Sequence, residues 1–110
     1  MQNPDTSTLI ALKAMANENR MKILEWILEP KLHFPPQRDG DLLDDGVCIK
    51  FITDKIGLRQ PTVTSHMRIL CEAGLVSSKQ IKNWVFYRPN RANIDVVLGQ
   101  LNKQFQSRSS

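Results

Sequence analysis

The sequence predicts a mainly α-helical single domain carrying one small β-hairpin, and three observations support this. Apolar residues recur at offsets of three and four in five separate stretches of the 110-residue chain. Gly57 and Gly74 stand just past two of those stretches, where a residue without Cβ tolerates the left-handed turn that ends a helix. Between the last two stretches, Trp84-Val85-Phe86-Tyr87-Arg88 abandons the helical period for aromatic and β-branched residues.

Asp5, Thr6 and Ser7 offer capping oxygens for a first helix over residues 7–15. Asn17 caps a second, with Met21, Leu24, Ile27 and Leu28 as its buried stripe, and Pro30 ends it because proline lacks the backbone donor. Residues 29–46 then lose all periodicity and read as a long loop insertion, punctuated by Pro30, Pro35, Pro36, Gly40 and Gly46, that Leu32 and Phe34 pin to the body. Its Asp39, Asp41, Asp44 and Asp45 lack the spacing of a calcium loop, so a solvated acidic loop is expected. A third helix is predicted over 47–56, with Cys48, Ile49, Ile52 and Ile56 on one side. A fourth, over 60–73, buries Val63, Met67 and Leu70. Gly57-Leu58-Arg59 joins the two into a helix-turn-helix unit. Residues 75–80 and 84–88 form the hairpin around Ile81-Lys82-Asn83. Ile94, Val97, Leu98, Leu101 and Phe105 mark a last helix, and residues 106–110 read as a frayed tail of the single domain 1–110.

The charge is divided unevenly. Residues 1–28 are net neutral, residues 29–45 carry −3, and residues 46–110 carry +7, for a total of +4. A basic half of this kind suits a polyanion. The apolar runs are far shorter than the roughly 20 residues that cross a bilayer, and Met1 to Thr8 lacks a leader pattern, so a cytoplasmic protein with no membrane partner is expected. Cys48 and Cys71 make no disulfide framework and read as free thiols. The chain contains no glycine-rich phosphate loop, no metal-ligand pair, and no serine or cysteine with a base at an interpretable spacing. It is therefore read as neither an enzyme nor a cofactor carrier.

Rotation by 100° per residue along the fourth helix sets Val63, Met67 and Leu70 in one arc and Pro61, Thr64, Ser65 and Arg68 roughly opposite, with Thr62 and Ile69 flanking. That outward edge is short, polar and basic. A helix of this kind enters a major groove about 12 Å wide, where Arg68 can pair with guanine or phosphate and Gln60 with adenine or phosphate. Lys79, Lys82 and Asn83 at the hairpin turn are suited to a backbone or minor groove. Arg59, Arg20 and Arg88 are further phosphate candidates, while His66, beside the buried arc, is expected to pack and hydrogen-bond.

Four segments match a known pattern in order: Ala14 to Leu24, Gln60 to Leu70, Glu72 to Val76, and Trp84 to Arg88. In them the chain resembles the ArsR-type winged helix-turn-helix regulators, the arsenical-resistance repressor family, over nearly its whole length. The resemblance implies a bacterial repressor that binds a palindromic operator in double-stranded DNA as a homodimer through its first and last helices. Arg59 departs from the family, which usually places a capping serine there. Lys50 stands where metal-sensing relatives carry the second cysteine of a Cys-x-Cys pair, so metal sensing is not expected, and no effector is identified. A redox switch needs paired or unusually acidic thiols, and Cys48 and Cys71 lie on different predicted helices whose approach the spacing does not establish. The alternative function is a winged-helix protein-interaction module that captures its partner through residues 29–46.

Overall fold

The computed structural model describes residues 6–106. The candidate cap Asp5 and tail residues 107–110 lie outside them. Helix α1 (Thr6–Met15) turns Thr8, Ala11 and Ala14 inward, and these small side chains let it pack closely on its neighbours. Asn17, in extended conformation, caps α2 (Glu18–Leu28) by accepting from the Arg20 amide at 3.1 Å. The buried residues of α2 are Ile23, Leu24 and Ile27, whereas Met21 is 37% exposed. The expected stripe is thus rotated. The reason lies in the neighbours of α2, which include α1, α4, α5 and β3, so its inward arc is wider and differently centred than a helix packed on one side would need.

The insertion is more ordered than expected. Pro30 occupies the first position of a short helix α3 (Pro30–His33), where its missing donor costs nothing. Phe34 is buried and meets Trp26 edge-on at 6.4 Å, with the Lys55 ammonium over both rings, but Leu32 is 73% exposed and pins nothing. Leu42 supplies the second anchor.

The third helix starts later than its apolar pattern predicts. Val47–Cys48 forms strand β1, and α4 (Ile49–Ile56) follows. A two-residue strand has no alternation to read, so the periodicity of Ile49, Ile52 and Ile56 absorbed it. Gly46 sets it up with φ 101°, and a Cβ there would stand 2.3 Å from the Tyr87 carbonyl oxygen.

Gly57, with φ 75°, closes α4, and α5 (Gln60–Glu72) begins after Arg59. Strands β2 (Val76–Ile81) and β3 (Trp84–Pro89) form the hairpin around the two-residue turn Lys82-Asn83, in register Ile81 to Trp84. The sheet is antiparallel in the order β1-β3-β2, with Val47 opposite Tyr87. Helix α6 (Arg91–Phe105), capped by Asn90, returns against α1. One core joins these elements. Ile23, Ile27, Ile52, Val63, Met67 and Leu70 lie at its centre, so α5 is held by its apolar arc against a packed body.

Candidate nucleic-acid interface

Helix α5 separates its two faces as expected. Val63, Met67 and Leu70 are fully buried. Pro61, Thr62, Thr64 and Arg68 are exposed, and Ser65 is half-buried at the edge. Arg59 serves as N-cap without a side-chain bond, so its guanidinium stays exposed beside Gln60 at the helix start. These six residues, 59, 60, 62, 64, 65 and 68, form one continuous polar edge with two guanidinium groups. Among the described residues neither Arg59 nor Arg68 forms an ion pair.

Arg20 belongs to a different arrangement. Its Nε donates to the Ala14 carbonyl at 2.6 Å, and its NH1 meets Nδ1 of His66 at 3.0 Å. A guanidinium has no acceptor, so Nδ1 is the accepting nitrogen and the imidazole is neutral there. Burial, reinforced by the Arg20 charge, lowers the His66 pKa below its ordinary 6.5. Arg20 therefore ties the last turn of α1 and the start of α2 to the middle of α5, and His66 makes the packing and hydrogen-bonding contact expected of it.

At the wing, Lys79, Lys82 and Asn83 are exposed around the turn, and Lys82 adopts φ 55°. Both lysines are met by the insertion, Lys79 by Asp45 at 2.6 Å and Lys82 by Asp39 at 3.0 Å. Arg88 NH1 donates to the Asp44 carbonyl at 3.0 Å. Both α5 and the wing belong to the basic half of the chain, but among the described residues only the wing, of the two, has cations met by carboxylates. Sequence reasoning missed that acidic cover because the paired residues lie 34 and 43 positions apart.

Cys48 is buried, Cys71 is half-buried, and both thiols are free. Burial, then the Glu72 charge, raises the Cys71 pKa. Among the described residues no three His, Cys, Asp or Glu side chains lie close enough to hold a metal ion, and no helix is long and apolar enough to cross a membrane.

No family model matches the chain. It is 40% identical over 76 residues, 69% of its length and 76% of the relative's, to the uncharacterized HTH-type transcriptional regulator YbzH of Bacillus subtilis. It is 29% identical over 94 residues, 86% of its length and 67% of the relative's, to the putative arsenical resistance operon repressor ArsR2 of Halobacterium salinarum. Its fold is that of the homodimeric winged helix-turn-helix DNA-binding domain of Mb0332 from Mycobacterium bovis, a possible ArsR-family regulator. The TM-score is 0.56 at 21% identity, covering 94% of this chain and 88% of that one.

Proposed function

The chain belongs to the helix-turn-helix transcriptional regulators, and from that premise we propose that it is an ArsR-type repressor whose homodimer reads a palindromic operator through α5. It is a regulator and not an enzyme. The observation that carries the reading is the division of α5 into a fully buried apolar arc and an exposed edge of Thr62, Thr64, Ser65 and Arg68. A rod gripped along one side presents the other in fixed register, which base readout requires. In this reading Arg68 pairs with a base, Arg59 and Gln60 take phosphates at the helix start, and Lys79, Lys82 and Asn83 flank the groove. Arg20 acts by positioning α5, because two of its guanidinium nitrogens are committed inside the protein.

Dimerisation supplies a second α5 about 34 Å away, one turn of the duplex. Helices α1 and α6 carry the surface suited to it, with Leu9 and Ile10 on α1 and Val96, Leu98 and Phe105 on α6 all exposed. Leu98→Glu is expected to convert the dimer to a monomer in sedimentation analysis, and a persisting dimer would move the interface elsewhere. A cytoplasmic setting suits a DNA ligand. Thiol switching has less support, since the raised Cys71 pKa opposes thiolate formation. The partner-capture alternative is not favoured, because the insertion's Phe34 and Leu42 are buried and its Asp39 and Asp45 are engaged by the wing.

Titration of labelled genomic fragments at several salt concentrations tests the function. Selective binding that weakens steeply with salt is expected. Binding without sequence preference, or no salt-dependent binding at all, would overturn it.

A further inference from the structure

The acidic insertion, residues 29–46, is built to a definite shape. Asp41 Oδ2 accepts from the Leu43 and Asp44 amides, both at 2.9 Å, and the Asp41 amide donates to Asp45 Oδ2 at 2.7 Å. Gln37 staples the loop to the sheet, with its Nε2 donating to the Gly46 carbonyl at 2.9 Å and its Oε1 accepting from the Cys48 amide at 2.6 Å. The remaining oxygen of Asp45, Oδ1, thereby points at Lys79 Nζ, 2.6 Å away, and the carboxylate is only 19% exposed. Asp39, 27% exposed, meets Lys82 Nζ at 3.0 Å. The loop thus presents one carboxylate oxygen to each of the two wing lysines.

We propose that Asp39 and Asp45 are internal competitors of DNA phosphate, specificity residues that limit the wing's sequence-independent grip without touching DNA themselves. The inference rests on the DNA-binding reading above. Sequence-independent affinity comes almost wholly from cations that neutralise phosphates and release counterions. A lysine already held by a carboxylate must give up that partner before it does so, and its net contribution falls. Arg59 and Arg68 on the α5 edge bear no such cost. Affinity is thereby shifted from the wing, which grips any duplex, toward the helix that meets base edges. Lys79 and Lys82 remain more than half exposed, at 58% and 71%, so the exchange with phosphate is open to solvent.

The test is a double-mutant cycle on binding to a labelled random-sequence duplex over a range of salt. Asn replaces each Asp isosterically, and Asp45→Asn keeps an oxygen to accept from the Asp41 amide. D39N/D45N is expected to bind the random duplex more tightly than the parent, with the slope of log affinity against log salt steeper by about 1 for each lysine freed. Against a K79Q/K82Q background the same two Asp changes are expected to yield no gain. Asp39→Asn alone leaves the Asp41 and Gln37 bonds intact, so it gives about half the effect with the fold undisturbed. Unchanged affinity and slope in D39N/D45N would overturn the inference. So would an equal gain in the lysine-free background, which would make the carboxylates direct repellents of DNA. Failure of the parent protein to bind any duplex would refute the DNA-binding reading instead.

Discussion

Arg68 on α5 and Lys79 on the wing both lie exposed in the basic half of the chain, but only Lys79 has a carboxylate within bonding distance, 2.6 Å away on Asp45. The same contrast holds for Arg59 against Lys82, whose partner Asp39 lies at 3.0 Å. Formal charge counted along the chain gives the cations present, while the fold decides which are available. The −3 of residues 29–45 does not merely offset the +7 that follows it. Two of that segment's five carboxylates, those of Asp39 and Asp45, are held against the wing lysines, while among the described residues none pairs with Arg59 or Arg68 on the edge of α5.

Four perturbations act on this contrast, from the largest expected effect to the smallest. Gly46→Ala forces a Cβ to within 2.3 Å of the Tyr87 carbonyl oxygen at φ 101°, where the loop docks on the wing strand. It should cost about 3 kcal/mol and lower the melting temperature by roughly 15 °C, as thermal denaturation would read. Arg68→Ala acts on the uncovered side, and should cost about 1–3 kcal/mol of operator affinity while relaxing preference at one base pair. Selection from a randomised duplex pool measures both.

The third concerns the bracket that aims α5. The His66 pKa is lowered in the folded protein by burial and then by Arg20, while the unfolded chain keeps the ordinary 6.5. Below 6.5 the unfolded state therefore takes up a proton that the folded state refuses, and stability falls as pH drops from 6.5 toward the folded value, then levels off. His66→Gln, whose amide oxygen accepts from Arg20 without titrating, should remove that slope from thermal melts taken across the range. The smallest effect belongs to the covered side. K79Q/K82Q should lower random-duplex affinity less than R59Q/R68Q does, because the lysines are already held by Asp45 and Asp39 and the arginines are not. Equal losses on that same duplex in filter binding would mean that the acidic cover is without consequence.

The readable and unreadable parts of the molecule follow the range of the interactions that build them. The inward arc of α5, its start after Arg59 and the glycine that ends α4 depend on neighbours within about a turn, so spacing and residue type suffice. The two-residue β1 exists only because β3 lies beside it, and nothing local distinguishes Val47-Cys48 from the first turn of a helix. Arg20 looks like an exposed phosphate candidate until His66, 46 residues away, is brought against it. The acidic insertion is the clearest case. Two of its four aspartates, Asp39 and Asp45, have lysines on another element as partners, and only the folded chain brings the two sets together.

Amide NMR spectra of the labelled protein, recorded as a selected duplex is added, test the central claim most directly. If the edge of α5 enters the groove, the largest shifts fall on residues 60–69, led by Thr62, Thr64, Ser65 and Arg68. Smaller shifts are expected at Lys79 to Asn83. Saturable binding that leaves residues 60–69 unmoved and shifts another surface would contradict it.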